Sequence, residues 1–223
     1  MEQQDHQLTA LECPNCGFDI NAEITTVLRV NDQALESYFE GDLNRVICHQ
    51  CAQEFLYETP LVFKSDDQSY IVYYNPDIAS LGWQEATKQM SQVLTSSFDA
   101  LPLEERPECR LTLTRNEFLE KIALHMSELD DRLIEYMKFH IFSQEDDLNG
   151  ETHELLYDFS RSNHDMIEFT VINKLEGKVL QNTQTPIEML QQLDALLESD
   201  DCPIDIDELL SGLYVQVERL LHK

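Results

Sequence analysis

Two short cysteine pairs carry the clearest chemical signal in the chain, Cys13-Pro14-Asn15-Cys16 and Cys48-His49-Gln50-Cys51. Each has the Cys-x-x-Cys spacing that lets two thiolates face one point from a tight turn. Thirty-one residues separate Cys16 from Cys48, enough for a hairpin-like excursion that returns the second pair to the first. Four thiolates gathered in this way match a structural Zn2+ site, tetrahedral and closed to water. Pro14 pre-sets one backbone angle of the first turn, and Gly17 can take the left-handed conformation that such a turn tends to require. Ala52 stands at the matching place in the second turn, so that turn is expected to be distorted. His49 reads as a solvent-facing loop residue rather than a ligand.

Thiol–disulfide exchange is the competing chemistry. It calls for a pair at a helix amino terminus, where the dipole lowers the thiol pKa. Here Cys16 is followed by a strand pattern, and a second matching pair exists. Cys109 and Cys202 lie far from any partner and read as unpaired thiols. The loop from Asp158 to Asp165 collects Ser160, Arg161 and His164. It has a functional reading, as nucleophile and base or as an anion site. The plainer reading is a hairpin connection whose Ser, Asn and Asp side chains bond the turn. His125 and His140 read as boundary residues on helices, and Met126 and Met137 as core packing. The acidic run Asp194, Glu198, Asp200, Asp201, Asp205, Asp207 and Glu208 lacks the spaced ligands and central Gly of a calcium loop. It reads as a solvated face.

Charge narrows the function classes. Fifteen Lys plus Arg against 43 Asp plus Glu give a net charge of −28. A polyanion would be repelled, so no direct nucleic-acid contact and no anionic membrane surface is expected. The amino terminus shows no basic region followed by an apolar run, and no stretch approaches the length of a membrane span. A cytoplasmic protein with reduced thiols is the expectation, which favours metal over disulfides.

The elements that must position the thiols follow from periodicity. Strands are expected over Leu8 to Glu12, Phe18 to Leu28, Glu54 to Phe63 and Ser69 to Tyr74, with a turn at Asp66-Asp67. Asp32 to Glu40 reads as a short helix capped by Asp32, burying Leu35 and Phe39 and stopped by Gly41. A helix is expected from Trp83 to Phe98 with Trp83, Met90, Val93 and Leu94 inward, then a polar connector at Pro102 and Pro107. Arg110 to Leu113 reads as a strand. Thr114 and Glu117 form a capping box for a helical region carrying Phe118, Ile122, Met126, Leu129, Leu133 and Met137, divided near Ser127 to Asp131. Two strands then present Leu155, Tyr157 and Phe159, and Ile167, Phe169 and Val171, with a short third at Lys178 to Leu180. Pro186 opens a helix that runs through Leu197, and Pro203 to Leu221 reads as a terminal helix.

The stretch from Cys13-Pro14-Asn15-Cys16-Gly17 through Cys48-His49-Gln50-Cys51 to Phe55-Leu56-Tyr57-Glu58-Thr59-Pro60-Leu61 resembles the CpXC domain, a bacterial and archaeal family named for two such motifs. Tyr70-Ile71-Val72-Tyr73-Tyr74 and Leu129-Asp130-Asp131-Arg132-Leu133-Ile134-Glu135 are similar to it as well. The second motif has His49 where the family usually has Pro. The resemblance implies a zinc-ribbon-like module and assigns it no reaction.

The sequence therefore predicts an α+β protein, with a β-rich four-cysteine zinc ribbon over residues 8–107 and a mixed helical and antiparallel-strand region over 108–223. Cys13, Cys16, Cys48 and Cys51 are the expected ligands of a structural Zn2+. The expected function is non-enzymatic interaction with another protein through an acidic or an apolar surface, a basic partner being the one an acidic surface would suit. The alternatives are an acidic mimic of nucleic acid that occupies a DNA- or RNA-binding protein, and a thiol or hydrolytic enzyme.

Overall fold

Period-two patterning builds the first hairpin: β1 (His6–Glu12) and β2 (Asp19–Thr25) pair antiparallel from His6↔Thr25 to Glu12↔Asp19, with the first cysteine pair in the turn. The second hairpin is shorter, β4 (Arg45–Ile47) against β5 (Glu54–Leu56), and holds the second pair in the same way. The computed structural model describes residues 5–145, 147–197 and 206–221. The fold is α+β, with two compact units, Met1–Leu119 and Glu120–Lys223.

Two predicted strands are each two strands. The run Phe18 to Leu28 breaks at Thr26, after which β3 (Val27–Arg29) joins a different sheet. The Thr26 amide donates to the Asp5 carbonyl at 3.1 Å, while its own carbonyl accepts from Val62 at 2.9 Å, so one residue serves both sheets. The run Glu54 to Phe63 breaks likewise between β5 and β6 (Leu61–Lys64). Pro60 has no N–H to give a ladder, and the Tyr57 amide turns to the Asn44 carbonyl at 3.0 Å.

β3 and β6 lie parallel, β7 (Tyr70–Tyr74) runs antiparallel to β6, and β8 (Glu108–Thr112) runs parallel to β7. Leu28, Phe63, Val72 and Leu111, one from each strand, are wholly buried. A parallel pair needs a crossover, and α2 (Trp83–Phe98) supplies it between β7 and β8. Its buried residues are Ala86 and Leu94, with Trp83 and Met90 half-buried. Val93, expected inward, is 56% exposed, because the stripe through Ala86, Met90 and Leu94 at four-residue steps leaves it just past the edge.

α1 (Gln33–Phe39) has Asp32 at its cap position, but the Asp32 side chain makes no capping bond. It buries Leu35 and Tyr38 rather than Leu35 and Phe39. Tyr38 meets Phe118 edge-on, with centroids 5.3 Å apart, and its hydroxyl donates to the Arg115 carbonyl at 2.8 Å. α3 (Arg115–Met126) opens as the capping pattern requires: the Glu117 amide donates to Thr114 Oγ1 at 3.1 Å. The return bond differs, since Glu117 Oε2 accepts from Leu113, one residue before the cap, at 2.7 Å.

In the second unit α3 ends where Glu128 takes a left-handed φ of 56°. α4 (Asp131–Gln144) restarts with the Asp130 side chain accepting from the Arg132 amide. Met126, expected in the core, is 51% exposed as the last residue of α3, and Leu124 is wholly buried instead. β9 (His153–Tyr157), β10 (Met166–Asn173) and β11 (Lys178–Pro186) form an antiparallel sheet with β10 central. Leu155, Tyr157, Ile167, Phe169 and Val171 are buried as alternation predicts, whereas Phe159 lies past the end of β9 and is 46% exposed. β11 extends well beyond the expected Leu180, so Pro186 closes a strand rather than opening a helix, and α5 begins after it (Ile187–Leu197). The expected terminal helix is α6 (Ile206–Leu209) and α7 (Glu218–Leu221), interrupted where Gly212 takes a φ of 90°. Residues 203–205 of that expected helix lie outside the described residues.

Candidate metal centre

The two cysteine hooks are built alike, residue for residue. In the first, the Gly17 amide donates to the Cys13 carbonyl at 2.9 Å and the Cys13 amide to the Phe18 carbonyl at 2.9 Å. In the second, the Ala52 amide donates to the Cys48 carbonyl at 2.8 Å and the Cys48 amide to the Gln53 carbonyl at 2.8 Å. Gly17 has a φ of 69° and Ala52 a φ of 57°. The expected distortion of the second turn is therefore absent, and Ala52 takes the left-handed conformation that its Cβ disfavours. Such a residue costs roughly 1–2 kcal/mol. Ala52→Gly should raise the unfolding free energy by about 1 kcal/mol, read from the denaturant midpoint of the metal-loaded protein. A lowered midpoint would show that the turn depends on the methyl group.

The turns bring four sulfurs within 4.8 Å of one another. Cys13 Sγ lies 3.7 Å from Cys51 Sγ, and Cys16 Sγ lies 3.7 Å from Cys48 Sγ. All four are free thiols. Cys13 and Cys48 are buried beside Leu11, Ile20, Ile24 and Val46, whereas Cys16 and Cys51 are exposed. This set of soft donors could hold a metal ion, and no other such group of His, Cys, Asp or Glu occurs among the described residues. His49 is exposed and stands outside it.

Neighbouring groups shift the two exposed thiols in opposite directions. The Asn15 amide donates to Cys51 Sγ at 3.5 Å, across from one hook to the other. Together with the Gln53 backbone amide it brings the Cys51 thiol down to about 6 from an ordinary value of 9.0. The Phe18 amide pulls Cys16 the same way, but desolvation and the adjacent sulfurs prevail and push that thiol up to about 12. Of these two outer thiols, Cys51 is thus the one held toward the thiolate. Asn15→Ala should move the Cys51 thiolate transition upward from about 6, as followed by thiolate absorbance. An unmoved transition would assign the shift to the backbone alone.

Asn44 ties the two hairpins together and was not legible as a site residue. Its φ is 61°. Its side-chain amide accepts from the Thr25 N–H and donates to the Thr25 carbonyl, both at 2.9 Å, as a neighbouring strand would. A left-handed Asn after Gly41 was the available signal.

The other sequence candidates do not assemble. In the Asp158 to Asp165 loop, Ser160 Oγ donates to Asp158 Oδ1 at 2.6 Å, and Asp158 also accepts from the Ser160 and Arg161 amides. Asn163 Oδ1 accepts from the Asp165 and Met166 amides, and His164 is exposed. These bonds close a hairpin turn. Cys109 is half-buried, and desolvation raises its thiol to about 11, away from nucleophilic use. His125 is half-buried, and exposed His140 meets Tyr136 edge-on at 4.8 Å. Asp194 and Glu208 are exposed. Cys202, Glu198, Asp200, Asp201, Asp205 and the Asp207 side chain lie outside the described residues. No helix among the described residues is long and apolar enough to cross a membrane. Sequence reasoning also missed the sealed ionic set of Glu120, Lys121, Asp131, Glu135 and Lys138.

No curated protein and no solved structure matches the chain. The family model described as CpXC protein matches residues 5–138, a span that takes in both hooks, the four-stranded sheet and the start of α4. With more than half of its length matched on these elements, the chain belongs to the CpXC family.

Proposed function

We propose that Cys13, Cys16, Cys48 and Cys51 hold one structural zinc ion, and that the domain so stabilised works by binding another protein rather than by catalysis. The spacing of the sulfurs carries the metal half of this reading. Zinc–sulfur bonds of about 2.3 Å give a tetrahedral S–S edge of about 3.8 Å; Cys13 and Cys51, and Cys16 and Cys48, stand 3.7 Å apart, and all four sulfurs lie within 4.8 Å of one another. Thiolates also select soft or borderline cations. Four of them fill the coordination sphere and leave no position for a reacting water, so the ion would supply a cross-link between two turns. Neither hook opens a helix; Cys16 leads toward β2 and Cys51 toward β5, which counts against thiol exchange.

The partner half of the reading rests on charge. At −28 the surface favours encounter with a basic protein. Protein purified without chelator should contain one zinc per chain by elemental analysis. Tagged protein retained on a column should capture a basic partner, and Cys13→Ser should lose both the metal and the capture. A metal-free yet fully folded preparation would overturn the zinc assignment. Capture unaffected by Cys13→Ser would separate binding from the ribbon. Steep loss of capture with added salt, together with competition by DNA, would favour the nucleic-acid mimic.

A further inference from the structure

The sheet of the second unit has one closed edge and one open edge. At β9 the outward Tyr157 amide donates to Glu120 Oε1 at 2.6 Å, so α3 closes that side. On the other side β11 pairs only with β10 among the described residues. It is a strand of nine residues, and between Lys178 and Glu188 the chain carries no charged side chain. Natural sheets guard such edges with charge, proline and bulges. Here Lys178, the irregularity beside Val171 and Pro186 stand at the ends, and Gln181 to Thr185 is left unguarded.

The register fixes which backbone groups are free. The Asp158 amide donates to the Glu168 carbonyl and the Lys174 amide to the Thr152 carbonyl, so Glu168, Thr170 and Ile172 bond toward β9. Bonding direction alternates along an antiparallel strand. Ile167, Phe169 and Val171 therefore bond toward β11, opposite Thr185, Thr183 and Gln181. Asn182 and Gln184 lie between those and turn their N–H and C=O groups outward from the open edge. The Ile187 amide, which donates back to the Asp165 carbonyl, keeps the same phase.

We propose that this edge pairs with the same edge of a second copy, β11 antiparallel to β11 about a two-fold axis at Thr183. In that register Asn182 of each copy faces Gln184 of the other, and each such pair exchanges both backbone bonds. Thr183 meets its symmetry mate, a favourable cross-strand pair. The ends match as well. Exposed Val179 and Leu180 at the start of one strand come to exposed Pro186 and Met189 at and beyond the end of the other. Charge selects this occupant. Two chains at −28 repel over most of their surface, and like charges set opposite each other destabilise a ladder. A neutral, self-complementary strand lets two copies meet without such pairs, and the isologous contact closes at a dimer.

The contact is small, so the dimer is weak, with a Kd on the order of 100 μM. Sedimentation velocity of the full chain with its thiols kept reduced, from about 10 μM to about 500 μM, should show monomer giving way to dimer. Added salt should strengthen the association by screening the like charge, the reverse of what binding to a basic partner would show. Gln184→Pro removes an outward N–H and no bond to β10, which an edge strand tolerates. It should weaken the dimer by about 10–100-fold. Gln184→Ala keeps the N–H and should dimerise like the wild type. By NMR, hydrogen exchange at the Asn182 and Gln184 amides should slow as wild-type concentration rises, and this decides alone if Gln184→Pro does not fold. Four outcomes would each overturn the proposal: a monomer throughout the range, equal dimerisation of Gln184→Pro and wild type, loss of the dimer in Gln184→Ala, or edge amides protected only when oligolysine is added.

Discussion

Cys48→Ser should empty the four-sulfur site and loosen both hairpins that meet there. Cys48 is wholly buried among Leu11, Ile20, Ile24 and Val46, and its sulfur lies against Cys16. A serine hydroxyl does not ionise in this range and is a hard, poor substitute for thiolate. In small zinc-organised peptides the ion contributes about 10–16 kcal/mol at neutral pH. The first unit also has its own four-stranded sheet, so only part of that should be lost. A fall in melting temperature of about 10 °C or more follows for this unit. Trp83, the single tryptophan, lies in the first unit and reports its unfolding by fluorescence. Chelation of the wild type should reproduce the shift. Acid should do so as well, because protons compete with the ion for thiolates as pH falls. Retained zinc together with an unshifted tryptophan transition in Cys48→Ser would remove the ion from the account of this fold.

Glu135→Ala should be the most damaging single change in the second unit. Its carboxylate has no exposure and accepts from Lys121, Lys138 and the Val217 amide at once. Truncation removes the carboxylate that Lys121 and Lys138 share, and leaves the Val217 amide without its acceptor, in a site that water does not reach. Breaking a buried ionic set in this way costs about 3–5 kcal/mol, against about 0.5 kcal/mol or less for an exposed control such as Glu188→Ala. Urea unfolding followed by far-UV circular dichroism measures the difference. A loss below about 1 kcal/mol would mean that water or a rearranged lysine relieves the charge. The segment ending in α7 should also detach first, because Glu135 holds it through Val217 beside a packed cluster of Tyr136, Leu210, Val215 and Leu220. Faster amide exchange at Val217 in the variant checks this.

Local signals in the sequence were enough to place the site. Two Cys-x-x-Cys pairs announced the hooks, Gly17 announced the first turn, and the patterned stretch between the pairs brought them together as expected. The bounds of α2 were legible from its helical spacing, and the cap of α3 because Thr114 acts on its near neighbours. Alternation also found the buried faces of β9 and β10. The failures share a different cause. Residues 18–28 and 54–63 keep a strand pattern while changing sheets, and a change of pairing partner leaves hydrophobic periodicity intact. Glu120, Lys121, Glu135 and Lys138 resemble the solvated face of two helices. Only pairing across 14 to 18 residues shows that they are interior. The left-handed Ala52 was missed because its propensity argues against the geometry that the hook imposes.

The alternation of burial along the hooks has a chemical outcome. Cys13 and Cys48 face the interior, and Cys16 and Cys51 face solvent, so the site has one guarded flank and one open flank. An alkylating reagent or a competing small thiol would reach the outer pair first and strip the inner pair only afterwards. Dismantling should therefore be ordered, passing through a two-legged intermediate in which each hairpin still keeps its inner sulfur.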